Sequence, residues 1–178
     1  MRYFYLLMSI CFSCVLLFFT LTMASIHVPL KIKVGLQDLT PETKKEVECL
    51  AQNLYFESAF EPLIGQVAVA FVTLNRKNNE AFPNTFCEVV KQRHGATCQF
   101  SWFCQKDLIK RKNNLTIHNN LVYNDMIEIA TNFYVNHELL EDPTKGALFY
   151  HADYVKPNWK NMIRTAYIGR HIFYLSKI

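Results

Sequence analysis

The sequence predicts an α+β domain, mostly helical with a short antiparallel sheet, behind an apolar N-terminal segment. Two observations carry this fold class. Apolar residues recur at three- and four-residue spacing between residues 40 and 91, and again between 119 and 138, as amphipathic helices require. Strand-like runs gather near the C-terminus, at residues 148–152, 165–168 and 171–174, around turn signals such as Gly169-Arg170. The 178 residues suit one compact domain plus an export segment. With 51% apolar residues the chain can bury a core, which excludes a disordered class. A net charge of +4 is compatible with an anionic polymer, and too small and dispersed for a nucleic-acid partner.

Taken in order, Arg2 precedes an apolar run from 3 to 24 broken only by Ser9, Ser13, Thr20 and Thr22. Residues 1–25 read as a signal peptide cleaved after Ala24 or Ser25, or as an uncleaved anchor, since the run is near the length of a membrane span. Both readings export the rest of the chain to the outer side of the inner membrane. The membrane is a partner only if the segment is retained. Cys11 and Cys14 lie inside the apolar run, where neither redox nor metal chemistry is credible. Residues 26–39, with Pro29 and Gly35, read as a connector, and 40–178 as the folded domain.

Thr40-Pro41-Glu42 is a helix start: a capping threonine, a proline in the first position and an acid in the first turn. Val47, Leu50, Ala51, Leu54 and Tyr55 form one face of that helix. Glu57 falls near its end, with Tyr55, Phe56 and Phe60 close in sequence. A carboxyl among aromatic rings loses hydration in its charged form, so it can hold a proton near neutral pH. Such an acid can protonate the leaving oxygen of a glycosidic bond. The bland alternative is a solvated helix-end glutamate. Pro62 suits the first turn of a second helix, roughly 62–77, which is apolar nearly all round and therefore buried. Glu61 sits beside its positive end.

Thr85 caps a short helix through about Lys91. The segment Cys98-Gln99-Phe100-Ser101-Trp102-Phe103-Cys104 reads as extended, with Gln99 and Ser101 on one face and Phe100 and Trp102 on the other. It suits either the aromatic wall of a sugar-binding cleft or a core strand. Four cysteines remain in the exported part, and an oxidising compartment pairs them in one of three ways. The short separation favours Cys98–Cys104, which leaves Cys49–Cys87. Zinc is the alternative, although the spacings lack the C-x-x-C pairs of structural zinc domains. Residues 106–114 form a charged, asparagine-rich loop, 119–138 a scaffold helix, and 142–147 a turn. His151 and His171 lie in strand-like apolar surroundings, which suits hydrogen-bonded structure better than metal ligation.

Several of these strings together resemble the cell-wall hydrolases typified by the spore cortex-lytic enzyme. They are Cys49-Leu50-Ala51, Tyr55-Phe56-Glu57, Glu61-Pro62-Leu63, Gly65-Gln66-Val67-Ala68-Val69-Ala70 and Asn75-Arg76. The strings Cys98-Gln99-Phe100-Ser101-Trp102, Tyr150-His151-Ala152 and Ile168-Gly169 through Tyr174 follow in the family's order. Glu57-Ser58 also resembles the glutamate-serine motif of lytic transglycosylases. The chain departs from the family in carrying Ala59 and Phe60 where an arginine and a glycine are usual.

The resemblance implies a small lysozyme-like domain that cuts peptidoglycan between N-acetylmuramic acid and N-acetylglucosamine, most simply as a lytic transglycosylase without cofactor or metal. It implies Glu57 as the catalytic acid, ahead of Glu61. Glu61, Gln66, Gln99, Ser101, Tyr150 and His151 are implied as substrate contacts, whereas Asn75 and Arg76 tie the second helix to neighbouring loops. Three other readings stand beside it: a zinc-dependent amidase on the stem peptide, a hydrolytic muramidase, and an inactive wall-binding module.

Overall fold

The computed structural model describes residues 34–105 and 121–177. The apolar segment 1–25, most of the connector and the 106–114 loop lie outside the described residues. A compact unit begins at Val34. It contains α1 (Pro41–Ser58), α2 (Leu63–Lys77), α3 (Phe86–Lys91) and α4 (Leu121–Asn136). A two-residue hairpin, β1 (Arg93–His94) with β2 (Thr97–Cys98), follows α3. The C-terminal sheet joins β3 (Phe149–Ala152), β4 (Met162–Ile168) and β5 (His171–Ser176) in the antiparallel order β3-β5-β4. The expected class, helices with a short antiparallel sheet, is the one observed.

The local signals explain where α1 and α3 begin. Thr40 Oγ1 accepts the Thr43 N–H at 3.3 Å with Pro41 in the first position, so α1 starts where its cap dictates. Thr85 caps α3 in the same way, through the Glu88 N–H at 3.1 Å. The Glu46 carboxylate of α1 also accepts the Phe86 N–H at 2.7 Å, which ties α3's positive end to α1. At α2, Pro62 is the capping residue rather than the first helical one.

Val47, Leu50 and Leu54 of α1 bury against Val69 of α2, Phe86 of α3, and Met126 and Phe133 of α4. Ala68 and Val72, on another side of α2, receive Ala147 and Phe173, so the sheet packs on that helix. Leu36 and Leu39, from the stretch read as connector, pack partly buried against the helical core.

The extended reading of residues 98–104 is corrected. Only Thr97–Cys98 is strand, and Ser101–Cys104 is a 3-10 turn. The short disulfide Cys98–Cys104 spans this turn, which a continuous strand of that length would not let close. The second bridge is Cys49–Cys87, so both pairs follow the favoured pairing. No helix among the described residues is long and apolar enough to cross a membrane.

Candidate active site

Glu57 leaves the last turn of α1 and is partly buried. Its Oε2 accepts the Tyr150 hydroxyl at 2.9 Å, from the middle of β3. Burial pushes the Glu57 carboxyl above its ordinary value, and the Tyr150 hydrogen bond and the Arg76 charge oppose that rise. The Tyr150 phenol is itself held well above its usual range by burial and by the Glu57 charge, so it stays a donor.

The aromatic surroundings differ from those the local sequence suggests. Phe60 is 96% exposed and contributes no burial, because the chain turns outward after α1. Tyr150 takes its place from 93 residues away. Phe56 stacks instead on Trp102, with centroids 4.5 Å apart and planes 18° from parallel. Trp102 Nε1 donates to Asn53 Oδ1 at 3.1 Å, and the Asn53 amide donates to Thr73 Oγ1 at 3.3 Å. This buried network locks the cysteine-bounded turn to α1 and α2 beside Glu57.

Arg76 does more than tie α2 to a loop. Its Nε donates to Leu148 O at 2.8 Å, and its guanidinium lies over the Phe100 ring at 4.9 Å. Burial pushes its pKa down to about 10, against the Tyr150 and Glu57 charges. Nη1 has no partner among the described residues. Asn75 fills the tying role, donating to Asp142 Oδ2 at 2.9 Å and Ala147 O at 3.1 Å. Asn53, through Trp102, and Arg76, through its charge, also adjoin Glu57, a placement the sequence reading does not assign to them. Each is a polar side chain on an apolar helix face, and that mismatch is the signal that could have found them.

The other expected residues scatter. Glu61 Oε2 accepts the backbone N–H of Arg170 at 2.8 Å, which pins the β4–β5 turn to the start of α2. Gly169 in that turn has φ +57°, and a Cβ there would collide with Glu61 Oε2. Gln66 is buried and its amide donates to Ala59 O at 3.3 Å, fixing the turn after Glu57. Gln99 is partly buried and Ser101 is exposed. His151, next to Tyr150 in β3, projects to the opposite face of the sheet. His171 is buried with Nδ1 unpaired among the described residues, and burial lowers its pKa. No three His, Cys, Asp or Glu side chains among the described residues are grouped to hold a metal ion.

The helical domain and its packed sheet together present the partly buried Glu57 carboxylate with the Tyr150 hydroxyl bonded to it. Residues 60–174 match the family model described as Cell Wall Hydrolase, and the chain belongs to that family. The match begins three residues after Glu57.

The chain is 29% identical over 140 residues to the spore cortex-lytic enzyme of Bacillus cereus, covering 74% of this chain and 44% of that one. It is 28% identical over 132 residues to the enzyme of the same name from Halalkalibacterium halodurans, covering 72% and 34%. It thus spans less than half the length of these curated relatives. Among solved structures it is similar to the catalytic domain of the Bacillus cereus SleB protein, at TM-score 0.52 and 29% identity, over 74% of this chain and 91% of that one. The catalytic domain of the germination-specific lytic transglycosylase SleB from Bacillus anthracis gives TM-score 0.51 at 29% identity, over 74% and 95%.

Proposed function

We propose that this chain cleaves the glycan strands of peptidoglycan between N-acetylmuramic acid and N-acetylglucosamine, as a lytic transglycosylase with Glu57 as its single acid and base. The observation that carries the reading is the Glu57 carboxyl, burial-raised and hydrogen-bonded by Tyr150. A raised pKa keeps the proton available where it is needed. Protonated Glu57 gives its proton to the glycosidic oxygen, the bond from that oxygen to C1 of the muramic residue breaks, and the N-acetylglucosamine end leaves as an alcohol. The carboxylate then takes the proton of the muramic 6-hydroxyl, whose oxygen bonds to C1 and closes a 1,6-anhydro ring. Glu57 ends protonated and no water is consumed.

Two features favour this over a two-carboxylate hydrolysis. The Tyr150 hydroxyl and the Arg76 charge act on the Glu57 carboxyl against its burial, and neither is a carboxylate. Glu61, the other nearby carboxylate in sequence, is engaged by Arg170 N. Tyr150 acts as the positioning residue. Gln99 and Ser101, on the turn locked to α1 through Trp102, contact the sugars, while Gln66 and Glu61 shape the site from behind. Residues 1–25 export or anchor the chain, 26–39 connect, and 40–178 act on the wall from the outer side of the membrane.

The test is digestion of purified peptidoglycan with the full, oxidised chain and identification of soluble products by mass spectrometry. Anhydro-muramic ends, absent with Glu57→Gln, are expected. Reducing muramic ends would make water the acceptor, and free stem peptides would replace glycan cleavage with amide cleavage.

A further inference from the structure

The outward face of the C-terminal sheet, away from Glu57, carries a cavity of about 470 Å³. That volume lies within the range of small-ligand sites. Strand alternation produces the separation: Tyr150 and Phe173 turn inward onto α2, so His151, Ile172 and Tyr174 turn outward. The loop after β3 supplies Asp153, Val155, Lys156 and Trp159 to the same lining.

Three rings form a fixed corner. His151 stacks on Tyr174 with centroids 5.3 Å apart and planes 19° from parallel. Trp159 meets both edge-on, at 5.4 Å and 5.8 Å. Hydrogen bonds set the corner's chemistry. The Ala152 carbonyl can only accept, so His151 Nδ1 carries the proton in their 2.9 Å contact. His151 Nε2 and the Tyr174 hydroxyl share a 3.1 Å hydrogen bond, and whichever donates, the Tyr174 oxygen keeps a lone pair to accept from a ligand. Trp159 stays 42% exposed beside the open space of the pocket.

We infer that this pocket is a second saccharide site, which holds an N-acetylated amino-sugar ring of the glycan strand on the face of the sheet opposite the cutting site. The inference rests on the glycan-cleaving reading above. A pyranose packs its C–H face on an aromatic ring while its hydroxyls point outward to polar groups, here Lys156 and Asn161 on the rim. The acetamido methyl suits the apolar side at Val155 and Ile172, and its N–H suits the Tyr174 oxygen. Because hydrogen bonds and ring contacts already hold the corner, binding loses little side-chain freedom. The cutting site then acts on a strand gripped at two places.

The test titrates the full chain carrying Glu57→Gln with the N-acetylglucosamine tetramer, read by calorimetry and by tryptophan fluorescence. Trp159 is one of two tryptophans, and the other, Trp102, is buried and hydrogen-bonded. Saturable binding is expected, with affinity at least fivefold weaker after Trp159→Ala and within twofold after Trp159→Phe, which keeps a ring. Val155→Arg, at an exposed position, fills the pocket and weakens binding similarly even if Trp159→Ala misfolds. Absence of saturable binding, or binding indifferent to both Trp159→Ala and Val155→Arg, overturns the inference. Digestion by the parent is scored separately. Trp159-dependent binding without glycan cleavage removes the lytic reading and keeps the pocket, and cleavage without such binding does the reverse.

Discussion

The Tyr150 hydroxyl donates to Glu57 Oε2 at 2.9 Å, which joins the end of α1 to the middle of β3 across 93 residues. The bond stabilises the charged carboxylate and so lowers the Glu57 pKa against the rise that burial causes. Tyr150→Phe therefore moves that pKa further up. Activity that needs protonated Glu57 should persist to higher pH, so the alkaline limb of the pH–rate profile shifts upward. The maximal rate should fall about tenfold or more, since a hydrogen bond to the carboxylate formed in the transition state contributes about 1.5–3 kcal/mol. A pH–rate series on peptidoglycan checks both.

Glu57→Gln should lower glycan cleavage by about 10²–10⁴-fold, the usual contribution of a positioned acid–base group. Its effect on stability has the opposite sign at neutral pH. Folding raises the Glu57 pKa above the ordinary 4.5, so the contribution to stability is complete below that value and is lost as pH rises through the raised one. Glutamine never charges. Glu57→Gln should melt above the parent at pH 7, and the difference should vanish near pH 4.

The bridges should differ in their effect on stability. Cys49–Cys87 closes 38 residues, and its loss should cost about 4 kcal/mol by loop-closure entropy. Cys98–Cys104 closes only 6, for about 2 kcal/mol. Denaturant unfolding of Cys49→Ala/Cys87→Ala against Cys98→Ala/Cys104→Ala measures this order.

Glu61 and Gly169 should act on folding through one contact. Gly169→Ala forces a left-handed residue at about 1–2 kcal/mol and drives its Cβ into Glu61 Oε2. Glu61→Ala relieves that collision while losing the Arg170 N–H bond. The double variant should therefore be less destabilised than the sum of the singles, which a double-mutant cycle in denaturant reads directly.

Helix starts were legible locally because capping is local chemistry: Thr40 and Thr85 meet N–H groups three residues on. Cysteine separation and the strand-like C-terminus were legible for the same reason. The extended reading of 98–104 failed because a bridge over six residues and the Trp102–Asn53 bond bend that segment into a turn. The bridge is implied by the cysteine separation and already conflicts with a strand across it, whereas the Trp102–Asn53 bond, 49 residues apart, has no local signature.

The sequence by itself determined the helices, the strand-like C-terminus and Glu57 as a carboxyl at a helix end, and it favoured one cysteine pairing that the structure then decided. Periodicity, caps and spacing act over a few residues and leave their mark in order along the chain. Only the tertiary structure decided what surrounds that carboxyl. It turned Phe60 out to solvent, brought in Tyr150 and Arg76, bound Glu61 to a distant turn and sent His151 to the other face of the sheet. Those outcomes follow from how a sheet docks on α2, and side-chain burial against a partner 70 to 110 residues away has no local signature.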